Sequence, residues 1–239
     1  MSLARRVSAE FAGTALLVAA VVGSGVAAVR LSPHDAGLQL LENAFATALA
    51  LGVLILTFGP VSGAHLNPVV SAVDWWLGRR AGTGLAPVEL GGYLAGQAVG
   101  AIAGAVLADL IFGLPAVAWS HTRRPGGHLW LAELIATAGL VLLIVALARS
   151  GRTPAAPAAV GAYIGAAYWW TSSTSFANPA VTLGRMFTDT FAGIAPASVP
   201  GFVAAQLLGG VVAAGAIAWW YPDAAQAADA VVVPQVAHR

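Results

Sequence analysis

Ser175-Phe176-Ala177-Asn178-Pro179-Ala180-Val181-Thr182-Leu183-Gly184-Arg185 stands late in the chain. Its echo is Ala64-His65-Leu66-Asn67-Pro68-Val69-Val70-Ser71. In both stretches Asn-Pro opens a short apolar run. Asn is a favoured helix N-cap, and Pro suits the first helical position, where its missing N–H would be unpaired anyway. Each stretch therefore predicts the start of a short helix, too short to cross a bilayer, which takes about 20 apolar residues. In a very apolar chain, two such helices predict half-helices that meet inside a membrane with their positive N-terminal ends facing each other.

The composition supports a membrane setting. The 239 residues are 59% hydrophobic and 9% charged, against roughly 25% charged in a soluble domain. The 28 glycines suit close helix packing in lipid. There is no Cys, so no disulfide or thiol chemistry arises. A net charge of +1 argues against a nucleic-acid partner. The first apolar segment lacks an A-x-A cleavage site and reads as a retained helix, not a signal peptide. Working outward from the two boxes, spans are expected at about 8–29, 38–58, 87–112, 129–148, 158–170 and 197–221. Asp74 to Gly84 reads as a polar loop, and 222–239 as a mobile tail.

The halves echo each other. Ala9-Glu10-Phe11-Ala12-Gly13-Thr14 opens the first span, and Ala132-Glu133-Leu134-Ile135-Ala136-Thr137 opens the fourth. Gln97 and Gln206 hold matching places in the third and sixth. Each half runs span, span, half-helix, span. Three spans per half make the second half enter from the opposite side, which gives an inverted repeat with a shared site at the midplane. The expected organisation is one domain over 1–221, with repeats at about 8–112 and 129–221. With the N-terminus inside, Arg5, Arg6, Arg79, Arg80, Arg149, Arg152 and Arg239 are cytoplasmic, and Arg30, Arg123, Arg124 and Arg185 are outside. This positive-inside bias puts both termini in the cytoplasm.

Two Asn-Pro boxes (Asn67-Pro68-Val69 and Asn178-Pro179-Ala180) in matching places, with Glu10 and Glu133 at the repeat starts, resemble the aquaporin and aquaglyceroporin (major intrinsic protein) family over about 8–221. The resemblance implies an all-α membrane protein with six transmembrane helices and two re-entrant half-helices. It implies a passive pore in each subunit of a homotetramer, in an inner (plasma) membrane, with lipid, water and small neutral solutes as partners and no cofactor.

Asn67 and Asn178 read either as plain N-caps or as pore donors, since each side-chain amide can offer an N–H to a solute. Facing helix N-termini then repel cations while neutral solutes pass. Glu10 and Glu133 are acids in apolar helices. They read either as proton-coupling groups or as anchors for the loops before the half-helices, and their symmetry favours anchors. By resemblance His65 lines the cytoplasmic half of the pore; it could also be a packed loop histidine. No residue spacing suggests a metal site. The pairs Trp75-Trp76, Trp169-Trp170 and Trp219-Trp220 read as interfacial belts.

The departures from the family pattern carry information. Most members have Arg directly after the second box, forming the narrowest filter with an aromatic from the second span. Here Val181 takes the Arg position. Gap-free counting puts Thr47 at the aromatic position, Ala166 at the fifth-span position and Ser175 in the loop. A Thr/Ala/Ser/Val ring is small and uncharged, which predicts an opening wider than a water-only pore, unless Phe45, Tyr168 or Phe176 refills it. Val69, where Ala is usual, is expected to add bulk near the centre. Arg185, one turn beyond Val181, reads either as a displaced charge at the outer mouth or as a helix-end cation paired with Asp189. The missing filter arginine resembles a bacterial subgroup linked to arsenic resistance, which implies passage of arsenite and methylated arsenicals. The expected function is a passive channel for water, glycerol-like polyols and metalloid hydroxides. A secondary transporter and a non-conducting structural relative are the alternatives. No nucleophile–base pair suggests an enzyme.

Overall fold

The computed structural model describes residues 1–79 and 82–221. Arg80 and Arg239, both counted in the orientation argument, and the expected mobile tail at 222–239 lie outside the described residues.

Among the described residues eight α-helices follow in order: α1 (Leu3–Leu31), α2 (Ala36–Ser62), α3 (Pro68–Gly78), α4 (Pro87–Ile111), α5 (Gly127–Arg149), α6 (Ala156–Trp170), α7 (Pro179–Gly184) and α8 (Val199–Trp220). Five of the long helices have the length and hydropathy to cross a membrane. α6 has 15 residues, about 22 Å. The 3-10 turn Thr153–Ala155 ahead of it adds about 6 Å, which brings the fifth span close to the roughly 30 Å hydrocarbon core.

Local chemistry sets the ends. Asp35 caps α2 by accepting from the Leu38 N–H at 2.9 Å. α2 does not stop near residue 58 as expected but runs on through Gly59-Pro60 to Ser62. Pro60 faces outward near the last turn, and Gly63 ends the helix in the left-handed region at φ 86°. α3 also runs further than expected. Asp74, Trp75 and Trp76 are helical, and only the residues after Gly78 form the polar loop. Asp74 is buried and accepts from the Leu85 N–H at 2.8 Å, so its carboxylate pins that loop instead of facing solvent.

The repeat is visible in the packing. α1 lies closest against α4, and α5 against α8. At the first crossing a Cβ on Gly100 would sit 2.4 Å from the Phe11 carbonyl oxygen. At the second, a Cβ on Gly209 would sit 2.4 Å from that of Leu134. Only glycine permits such backbone approach, which is how membrane helices gain dispersion contacts without a hydrophobic drive between them. The outward faces are apolar, with Trp76, Trp169, Trp170, Trp219 and Trp220 exposed near helix ends.

Candidate functional site: the loops between the half-helices and the cavity they line

Each half-helix is entered through a short buried loop held by one carboxylate. Glu10 Oε1 accepts from Ser62 Oγ (2.6 Å) and the His65 N–H (3.0 Å), while Oε2 accepts from the Leu66 N–H and from Gln97 Nε2, both at 2.7 Å. Glu133 repeats the pattern. Oε1 accepts from Ser173 Oγ (2.6 Å) and the Phe176 N–H (2.8 Å), and Oε2 from the Ala177 N–H (2.8 Å) and Gln206 Nε2 (2.6 Å). Both glutamates are fully buried. Four accepted hydrogen bonds fill the capacity of an ionised carboxylate. Alternate loop residues take left-handed backbone: Ala64 (φ 49°) and Leu66 (49°) in one loop, Ser175 (47°) and Ala177 (48°) in the other. Such residues cost of order 1 kcal/mol each, so the carboxylate bonds offset real strain.

The asparagines lock the two loops together. Asn67 Oδ1 caps α3 by accepting from the Val69 N–H at 3.0 Å, and its Nδ2 donates to the Ala177 carbonyl at 2.8 Å. Asn178 Oδ1 caps α7 by accepting from Ala180 and Val181 N–H at 2.9 and 3.2 Å, and its Nδ2 donates to the Leu66 carbonyl at 2.7 Å. Pro68 and Pro179 occupy the first helical positions. The two Asn-Pro boxes therefore meet through reciprocal bonds across the repeat axis.

Both loops line one internal cavity of about 50 Å³, room for roughly four water molecules. Asn67, Asn178, Thr47, His65 and Ser175 supply polar lining. Leu17, Val21, Ile55, Leu140, Ile144 and Val160 are among its apolar lining. His65 is buried, its Nδ1 lies 3.1 Å from Ser71 Oγ, and its ring packs edge-on against Tyr93.

The expected filter residues are only partly brought together. Thr47, Ser175 and Val181 line the cavity, but Ala166 is exposed on the outer face of α6 and does not. Ile164 and Tyr168, four apart and so on one helical face, point inward instead. The count failed because α6 ends at Trp170, well before Asn178, whereas α2 ends only five residues before Asn67. Phe45 also points away, being exposed two positions from Thr47. Val69 adds no bulk to the cavity either. It packs with Ala138, Val141 and Ala213 of α5 and α8, opposite Gly210. Val70, the next residue, lines the cavity as Val181 does in the other repeat. Matching Asn67 to Asn178 was the signal that could have found it.

Two of the three aromatics named for the space beside Val181 line the cavity. Tyr168 OH donates to Thr47 Oγ1 at 3.3 Å, and Phe176 also lines the cavity. Nor is the lining uncharged. Arg185 is 3% exposed and faces the cavity. It does not pair with Asp189, whose Oδ1 accepts from the His121 N–H and whose Oδ2 faces His121 Nδ1, both at 2.9 Å.

A helical repeat with two half-helices meeting at capped Asn-Pro boxes around a narrow lumen defines a membrane channel. The family described as Major intrinsic protein matches residues 1–175, and the chain belongs to that family. It is 51% identical to a protein named aquaglyceroporin AqpS from Rhizobium meliloti, over 91% of this chain and 90% of that one. It is 32% identical to the probable aquaporin AqpM of Archaeoglobus fulgidus, over 92% and 97% of the two chains. The fold matches that of the aquaglyceroporin from Plasmodium falciparum with a TM-score of 0.67 at 22% identity, covering 93% of this chain and 98% of that one. The protein is a channel for water and small solutes.

Proposed function

We propose that the channel passes water and small neutral hydroxylated solutes: glycerol-like polyols, and metalloid hydroxides such as arsenite with their methylated forms. The carrying observation is the mixed lining of the lumen. Polar side chains, Asn67 and Asn178 among them, share it with Leu, Val and Ile side chains. A polyol or As(OH)3 carries hydroxyls on a compact body and can meet both kinds of group. An ion would have to shed its hydration before so few polar groups. Each asparagine nitrogen has two N–H donors. The cross-loop carbonyl takes one, and the other can meet the passing solute. Thr47, Ser175 and Val181 set the lumen's shape on the α7 side, Glu10 and Glu133 anchor the loops, and the residues up to 221 act as one channel domain of two repeats. We further propose a homotetramer in the inner (plasma) membrane with both termini cytoplasmic, in keeping with the broad apolar outer faces and the arginine bias.

The test is purified protein in liposomes, with light-scattering rates for water, glycerol, urea and arsenite. Passive, saturation-free flux of glycerol and arsenite above protein-free vesicles is expected. Flux that requires an ion gradient would replace this reading with a transporter, and no flux from intact oligomers would replace it with a structural role.

A further inference from the structure

Arg185 is the one buried charge of the lumen that none of the roles above uses. It opens the 3-10 turn Arg185–Phe187 that continues α7. Its position is fixed on three sides. Nε donates to the Ala192 carbonyl, and its own carbonyl accepts from the Ile194 N–H at 3.2 Å. Its guanidinium carbon lies 3.4 Å from the Phe176 ring centroid, a cation–π stack. Arg124 shares that ring, its guanidinium carbon 5.0 Å from the centroid, and its Nε donates to the Gly193 carbonyl at 3.2 Å. Two neighbouring carbonyls of one loop thus hold two guanidiniums at one aromatic ring. That loop is itself pinned. Ala118 and Ser120 N–H donate to Phe187 and Met186 carbonyls at 3.0 Å, the Ala195 N–H donates to the Thr122 carbonyl at 2.8 Å, and Thr188 Oγ1 donates to Asp109 Oδ1 at 2.8 Å.

No carboxylate oxygen hydrogen-bonds or ion-pairs with Arg185 among the described residues. Both Asp189 oxygens face His121, and both Glu133 oxygens are spent on the loop. A buried, unpaired cation is costly. Here the cost is met by a carbonyl, a ring face and whatever occupies the cavity. Five N–H donors leave a guanidinium in fixed directions, and only the Nε donor has a partner among the described residues. The side chain that carries the other four donors is part of the cavity lining.

We propose that Arg185 is a specificity-determining residue of this channel, a cation barrier and hydrogen-bond fork placed one helical turn, about 6 Å, beyond Val181. Phe176 and Arg124 are positioning residues that hold it. The fork favours neutral solutes that present two or more acceptor oxygens. The small Val181 side chain then leaves a chamber between the fork and the asparagine pair. This rests on the channel reading given above.

The experiment compares wild type, Arg185→Gln, Arg185→Lys and the relocation variant Val181→Arg/Arg185→Gln in liposomes. Proton leak, sodium leak and the glycerol-to-water flux ratio are measured, and folding is checked by size exclusion. Arg185→Gln is expected to raise cation leak at least tenfold and to change the flux ratio several-fold. Arg185→Lys should keep the cation barrier but shift the ratio, because a point charge does not reproduce the planar fork. The relocation variant should restore the barrier lost in Arg185→Gln. If Arg185→Gln does not fold, the ratio in Arg185→Lys decides, and an unchanged ratio overturns the proposal. Unchanged leak and ratio in a folded Arg185→Gln overturn it too. Wild-type vesicles that pass no solute would instead sink the channel reading, so the two failures are distinguishable.

Discussion

Asn178 shows how much one side chain carries. Its Oδ1 caps α7 and its Nδ2 reaches the Leu66 carbonyl on the other repeat. Asn178→Asp keeps the cap and the volume but turns the cross-loop donor into an acceptor facing a carbonyl. The lost bond and the buried repulsion should cost about 1–3 kcal/mol, and the new negative charge should lower the barrier to cations where the half-helices meet. Liposome proton leak should rise in protein that still elutes as wild type; leak at the wild-type level would remove Asn178 from the barrier. Sequence pattern had made both asparagines legible because Asn-Pro before an apolar run has a local cause, the N-cap. Ala166 and Val69 were misplaced for the opposite reason. Which face of a helix meets the lumen depends on loop length and helix phase, and neither is written in the motif itself. Arg185 was visible as a charge near a half-helix end, but its tie to the Ala192 carbonyl joins residues whose approach only the folded loop creates.

At the level of the elements, the two re-entrant loops stand or fall with their glutamates. Glu133→Gln replaces one acceptor oxygen with an NH2 group that meets donors already in place, either the Phe176 N–H and Ser173 hydroxyl or the Ala177 N–H and Gln206 amide. Hydrogen bonds to a charged acceptor contribute about 1.5–3 kcal/mol each, so losing the two on one oxygen is expected to cost roughly 3–6 kcal/mol. Thermal unfolding should start earlier, and flux of water, glycerol and urea should fall together. Unchanged stability with newly pH-dependent flux would point to proton coupling instead. The mouth loops carry a second, exposed link. His121 holds the Asp189 carboxyl below its ordinary value of 3.8, first through its backbone N–H and then through its ring. A depressed carboxyl pKa contributes stability that is present above the unfolded value and is lost as pH falls through the folded one. The pair is solvent-exposed, so the effect is small. Limited proteolysis of the 112–126 loop should therefore speed up modestly as pH falls below about 4, and Asp189→Asn should be fast throughout and lose that step. A step that persists in Asp189→Asn would assign it to another acid.

For the molecule as a whole, the inverted repeat was readable from spacing because both halves solve one problem twice: a carboxylate, a strained loop, a capped half-helix and a glutamine on the closing span. The mismatch between the halves was not readable. α7 has 6 residues against 11 in α3, and α6 has 15 against 27 in α2, so the lumen on the α7 side is finished by Tyr168, Phe176 and the pinned loop. The proposed orientation rests on arginine placement alone, and the chain's composition offers a clean test of it. Because there is no Cys, a single introduced thiol is the only one present. Ala116→Cys and Ser150→Cys place it at exposed positions, in the α4–α5 and α5–α6 connections, which lie at opposite ends of α5. With the N-terminus inside, a membrane-impermeant maleimide added to intact cells should label the first and spare the second, and permeabilised cells should label both. A reversed pattern would turn the channel over, put Arg185 on the cytoplasmic side, and make its fork a guard on solutes leaving the cell.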